Sequence, residues 1–539
     1  MHPALLIQDI QYCILDQILS KKTINAFARS CKAFTETALD TQWRDLDSFT
    51  RLIECMPHDL WNRDIICSRL DGIDEHTFKL CRHMLPSDWA IFQKYSHRVR
   101  SVTGPSVLGY PTFIMDDSCF LGLCAPSTPV PLLPHLTSLN WSLGSHSDIL
   151  ALSRLISPCL TSLTVRIRSS YRLSLEGQTA SVIPLNRTNS SHEPFAVDGD
   201  KVSPFHLLER LERSIDKLQD LDHISWRHLG SEAILSLARL PALTSAELVI
   251  PEDFPLFIKA FHSDPHPLTG KHTFSRMRKL RLACPSPTSL TAFLNHFDLP
   301  LVETIHLMCT DSLRGIQESF APLVSSLSSN IIGAIHIHDT LPIFSPGQSA
   351  FPLLGFHELR PFLQFSGLQI LNLTLKCQIA LDDAMLLTMA DAWPHISILC
   401  LNARGPWGPG SHITLSTFNQ LLERCPKLEQ TYLPIDFTPI DSPDFDPHSV
   451  ADLHRTASKY SQFWFGPYKV IHPHTVARYL AAILPISASI SMSSSGLEGN
   501  EKQEYRTSFM QTSRFYRDLR REANYVQDDS IYHRYIPFL

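Results

Sequence analysis

The sequence predicts an α/β repeat, with parallel strands inside and helices outside, following a small three-helix domain at the N-terminus. Three observations carry that prediction. An apolar-x-x-apolar-x-apolar pattern occurs ten times between Leu136 and Leu433. Apolar stripes of helical period fall between its copies. The first fifty residues hold three short stripes of the same helical period.

Length and composition agree with a repeat. At 539 residues the chain exceeds the size, about 250–300 residues, at which a single non-repeating core stops growing. Hydrophobic residues make up 44%, which excludes wholesale disorder. Leucine alone supplies 75 residues, glycine is scarce at 20, and proline, at 38, stops many short elements. The formal charge of −6 speaks against a general nucleic-acid binder or a binder of anionic membranes. The 13 cysteines form no CxxC pair, and the N-terminus has neither a basic region nor an apolar run of signal-peptide kind. The longest apolar run, Tyr479–Met492, is broken by Pro485 and serines and is too short to span a bilayer. These features predict reduced thiols and a cytoplasmic or nuclear protein.

Leu6, Ile10, Ile14 and Ile18 recur every fourth residue and predict a helix from about Asp9 to Leu19. Thr23 is placed to cap a second helix with Ile24, Phe27, Ala28 and Cys31 on one side. Phe34, Ala38, Leu39, Trp43 and Leu46 form the inner face of a third. Three short helices make a small core, and such a unit usually shares its apolar surface with a partner or with the rest of the chain.

The runs Ala4-Leu-Leu-Ile-Gln-Asp-Ile10, Thr23-Ile-Asn-Ala-Phe-Ala-Arg-Ser-Cys-Lys-Ala-Phe34 and Ala38-Leu-Asp-Thr-Gln-Trp-Arg-Asp-Leu46 resemble an F-box. They are closest to the version common in mushroom-forming fungi, and the resemblance covers residues 2–60. The family's opening Leu-Pro reads Leu6-Ile7 here, and Gln42 stands where a leucine usually precedes the tryptophan. The resemblance implies docking to the Skp-type adaptor of a cullin–RING ubiquitin ligase. Carried over by position, Leu5, Ile7, Ile10, Ile14, Ile24 and Leu39 form or support the docking face. Without a partner, the same residues are simply the core of a helical cap.

Residues 51–97 read as a helical connector, with Phe49, Leu52, Ile53 and Met56 on one face before Pro57, and Val99–Val102 as a candidate first strand. The repeat array then spans residues 98–492. Its copies start at Leu136, Leu160, Leu221, Leu243, Met277, Val302, Ile332, Leu368, Ile396 and Leu428. The gaps between starts are 24, 61, 22, 34, 25, 30, 36, 28 and 32 residues, which is irregular leucine-rich-repeat spacing. Ser231, Ser286 and the Leu415–Leu422 stripe mark helices between strands. Such a solenoid buries its apolar side only by stacking. The consensus asparagine that closes each turn is missing, and Cys284 and Cys309 stand near that place in two repeats. Residues 169–204 and 434–448 read as inserted loops. The array resumes at Phe463–Ile471, with a helix Thr475–Ile483 and a strand Ile486–Ile490. Residues 493–539 form a loop and a closing helix, Gln503–Glu522, with a Tyr505, Phe509, Phe515, Leu519 stripe.

No catalytic motif is present: no GxGxxG, P-loop or nucleophile elbow. The prolines of Gly405-Pro-Trp-Gly408-Pro-Gly410 remove the N–H donors a phosphate cradle needs, so a turn is expected. His336-Ile-His338 and His472-Pro-His474 lack a nearby cysteine or carboxylate at metal-ligand spacing, and read as surface histidines. The expectation is therefore no catalytic residue, no metal and no cofactor.

A repeat array usually binds through the face its strands expose. The residue between the last two apolar positions of each copy gives a column: Asn140, Thr164, Ser225, Glu247, Arg281, His306, His336, Asn372, Cys400 and Tyr432. Arg278, Lys279, Arg281, His306 and His336 form a candidate basic patch for an acidic or phosphorylated segment of a target protein, against an ordinary solvated strand face. Two functions follow: a substrate receptor of a ubiquitin ligase, or a repeat scaffold whose cap does not engage the adaptor. Neither involves nucleic acid or membrane.

Overall fold

The computed structural model describes residues 2–18, 20–67, 74–103, 112–115, 119, 122–123, 131–143, 146–167, 215, 218–226, 229–262, 272–309, 316–339, 353–375, 377–402, 407–408, 411, 413–442, 461–466, 470–484, 487–492 and 499–524. It divides into two compact units, Met1–Val249 and Ile250–Leu539.

The first unit opens with a 3-10 turn, Pro3–Leu6, and three helices: α1 (Gln8–Asp16), α2 (Lys21–Ser30) and α3 (Lys32–Arg44). Leu15, Ile24 and Ala38 are sealed between them, with Ile18, Phe27 and Ala28 packed on that cluster. Phe27 and Phe34 stack at 4.3 Å. Thr23 lies inside α2 and does not cap it; Ser20 holds the cap position, without a side-chain cap bond. Trp43 leaves the helical core to pack on Tyr95, 4.6 Å between ring centres.

The expected helical connector is only partly helical. Helix Thr50–Glu54 buries Leu52 and Ile53, and helix Pro86–Ser96 buries Trp89 and Phe92. Between them Trp61–Cys67 and Asp74–Leu80 form an antiparallel pair, which Thr112–Met115 joins in parallel. Aromatic and β-branched residues such as Trp61, Ile65, Ile66, Thr77 and Phe78 favour a pleated pair over a helix. The Trp61 and Phe78 rings meet at 5.5 Å.

α3 runs straight into β1 (Asp45–Leu46), a strand the sequence pattern did not mark. β1 pairs in parallel with β2 (Ser101–Thr103), and β3 (Ser138–Leu143), β4 (Ser162–Ile167), β5 (His223–Trp226) and β6 (Ser245–Val249) follow in order. In the second unit β7 (Lys279–Cys284), β8 (Thr304–Cys309), β9 (Ala334–Asp339), β10 (Ile370–Thr374), β11 (Ile398–Leu401), β12 (Gln430–Leu433), β13 (Ser461–Phe465) and β14 (Ala488–Met492) pair in the same way. All ten copies of the sequence pattern are strands of these two parallel ladders.

The register is set at the foot of each strand. The N–H groups of Thr161 and Ser162 both donate to the Thr137 carbonyl, and those of Asp222 and His223 donate to Thr161. The fork recurs at Gly333 and Ala334 on Glu303, at Gln369 and Ile370 on Gly333, and at Ser397 and Ile398 on Gln369. One carbonyl per repeat thus aligns the next strand, and the apolar positions fall in rows. Leu280, Leu282, Ile305, Leu307, Ile335, Ile337, Leu371 and Leu373 are all buried.

Helices close the buried side. Ser286 caps Pro287–His296 by accepting the Ser289 N–H at 3.2 Å, and Thr414 caps Leu415–Arg424 by accepting from Thr417. Helix Ser231–Ala238 opens on Gly230, so Ser231 is its first residue and not a side-chain cap. Phe254, Phe274, Phe293 and Phe297 pack ring to ring in this layer. The last helix, Gly499–Asn524, turns Tyr505, Thr512 and Tyr516 inward, whereas Phe515 from the expected stripe is exposed. Tyr516 donates to the Ala488 carbonyl and Tyr505 to that of Gly466.

The inserted loop at 169–204 lies outside the described residues. In 434–442, the described part of the second insertion, Ile435–Asp436 pairs with Ile413–Thr414. Among the described residues no helix is long and apolar enough to cross a membrane.

Candidate functional site

Two surfaces follow from this architecture. The first is the N-terminal face. The side chain of Gln11, itself buried, donates to the Leu5 carbonyl at 2.7 Å and accepts a hydrogen bond from the Thr37 hydroxyl. This clamp holds the Pro3–Leu6 turn against α3. Tyr12 donates to Asp40 at 2.8 Å, and burial together with that carboxylate pushes the Tyr12 phenol above its usual pKa. On this frame Leu6 is 58%, Ile7 52% and Ile10 36% exposed. They form an apolar edge on the side of α1 away from the sealed core.

Of the six residues expected at the docking face, Ile7 and Ile10 are exposed, Leu5, Ile14 and Leu39 are half-buried, and Ile24 is buried in the three-helix core. Ile24 therefore supports the face from beneath and is not part of it. Gln11 and Thr37, which hold the edge in place, carried no sequence signal: a lone Gln and Thr on helices read as solvated positions.

The second surface is the column on the strands. Register pairs Arg281 with His306, His306 with His336, His336 with Asn372, Asn372 with Cys400, and Cys400 with Tyr432, as the pattern predicts. It extends the column beyond the expected residues, through Trp464 to Ser491. Cys400 and Tyr432 are buried. In the first unit Asn140, Thr164, Ser225 and Glu247 are aligned likewise.

Charge does not follow the column as expected. Arg278 is ion-paired with Glu303, which offsets its charge. Burial and the nearby Arg281 hold His306 below its usual pKa, and burial next to His306 brings His336 down to about 4. Both imidazoles are neutral at pH 7. Lys279 and Arg281, exposed on one face of β7, supply the positive charge there. Of the five residues expected in a basic patch, Arg278 is thus offset by Glu303, and the two histidines are held toward their neutral form.

No protein-family model and no curated protein matches this chain.

Proposed function

We propose that the chain is the substrate-recognition subunit of a Skp–cullin–F-box type ubiquitin ligase. The N-terminal helices dock the adaptor, and the strand face of the leucine-rich repeats binds a target protein. The subunit itself makes and breaks no bonds. It raises the concentration of target near the charged ubiquitin carrier. The observation that carries this reading is the exposed Leu6, Ile7 and Ile10 edge, next to the Gln11–Leu5 hydrogen bond and apart from the sealed core of Leu15, Ile24 and Ala38. Apolar side chains clustered in this way on a fixed frame fit a protein-binding surface.

The alternative, a scaffold whose cap ignores the adaptor, has one observation in its favour. α3 continues into β1, and Arg98 pairs with Asp40 and Glu36, so the cap also completes the sheet of its own unit.

Co-expression of the full chain with a Skp-type adaptor, read by co-elution from a sizing column, separates the two. The variant Ile7→Asp with Ile10→Asp charges the exposed edge without touching the core. A complex that the wild type forms and the folded double variant loses supports the receptor; a wild type that never co-elutes removes the ligase reading.

A further inference from the structure

His306, His336 and His338 come together on the strand face of the second unit. β8 and β9 are register partners at 306 and 336, and residue 338 lies two further along β9, on the same face. The His306 and His336 rings stack at 4.1 Å with 2° between their planes, and the His338 ring centre is 6.0 Å from that of His336. One ring nitrogen from each of the three lies within 4.8 Å of the other two. All three rings are half-buried.

We propose that these three histidines bind one divalent transition metal of the zinc class, leaving a fourth coordination position open on the strand face. Three imidazoles with an open position form a donor set that zinc accepts, with bonds of about 2.0–2.1 Å. Tetrahedral geometry at that bond length puts donor nitrogens roughly 3.3 Å apart. The rings must therefore swing together by about 1–2 Å, which breaks the His306–His336 stack. Side-chain rotation alone supplies that movement, because the strands fix only the Cβ positions.

The surroundings set the selectivity. Arg281, Met308, Asn372 and Thr374 are the register neighbours on this face, and none is a carboxylate. Magnesium and calcium, which need oxygen donors, are excluded. The site is independent of the ligase reading, because it uses no residue of the N-terminal face.

The test titrates zinc chloride into the full chain after chelator treatment, by calorimetry and by NMR of the imidazole protons. Expected are one zinc per chain, retained in a large excess of magnesium, and zinc-dependent shifts of the His306, His336 and His338 resonances. His336→Gln and His338→Gln should each weaken uptake at least tenfold, whereas His472→Gln with His474→Gln should not change it. Overturning outcomes are no uptake by the wild type, uptake that persists in both single variants, or zinc shifts confined to other histidines. If a variant fails to fold, the wild-type resonance shifts alone decide.

Discussion

Ile10 and Leu15 belong to one helix and face opposite ways. Five residues apart, they lie about 140° around the helix from each other. Leu15 is fully buried against Ile24 and Ala38, while Ile10 stands 36% exposed. The two positions therefore separate the sealed core from the edge proposed to dock a partner. Leu15→Ala should destabilise the helical unit by about 2–5 kcal/mol, whatever the partner. Ile10→Asp should leave the thermal unfolding midpoint within about 2 °C of wild type. Thermal melts and chemical denaturation of both variants check this; an Ile10→Asp chain as unstable as Leu15→Ala would place Ile10 in the core.

Arg82 and Asp88 predict the acid behaviour of the first unit. Arg82 donates to both carboxylate oxygens of Asp88, at 2.6 and 3.2 Å, and Asp88 also accepts the Leu85 N–H at 2.8 Å. The Arg82 bond holds the Asp88 carboxyl below its ordinary value of 3.8. A depressed folded pKa gives stability that is present above 3.8 and lost as pH falls through the folded value. Asp88→Asn should destabilise the first unit at pH 7, and the gap from wild type should narrow as pH falls below 3.8 and the wild-type carboxyl takes up its proton. Thermal melts of both chains from pH 7 to pH 2 follow that gap; one that stays constant would exclude the linkage.

Asn402 is the non-glycine residue with a left-handed backbone, φ 58°, among the described residues. Its side-chain amide donates to the Cys377 carbonyl at 2.7 Å, and its own N–H donates to Leu373. Asn402→Ala loses the side-chain bond and strains the backbone, and is expected to cost about 2–3 kcal/mol. Asn402→Gly relieves the strain and should recover roughly 1 kcal/mol of that. Urea midpoints of the two variants would order the other way if conformation were irrelevant there.

Cys284 and Cys309 face each other across β7 and β8, Sγ to Sγ 3.1 Å, with both side chains buried. The hydrogen bond between them and their burial push the Cys309 thiol well above its normal range. A thiol so held is a poor nucleophile. Both should resist alkylation in the native protein and react fully in urea, with mass spectrometry identifying the modified residues. Rapid native labelling of Cys309 would contradict the buried pair.

The ten strands from β3 to β12 and the residue column along them were legible in the sequence, because a strand's side chains alternate with period two and each repeat begins from the same apolar position; that Cys400 and Tyr432 of that column are buried was not. Once the strands stack in parallel, the column residues become neighbours, so the Arg281–His306–His336 succession could be read without coordinates. The helices of Ser286 and Leu415 were legible for a similar local reason: caps and stripes act within ten residues.

The tertiary structure decided the rest, through contacts that no local pattern encodes. β1 exists only because Ser101–Thr103 lies beside it. The Trp61–Leu80 pairing depends on two segments meeting, and helical spacing within residues 51–97 concealed it. That Ile10 is exposed while Ile24 is buried depends on where α3 crosses, since both belong to apolar stripes. The charge of the column was decided in the same way. A histidine's proton depends on burial and on the cation in the next strand, so two of the five residues read from sequence as a basic patch, His306 and His336, have their pKa values lowered in the fold.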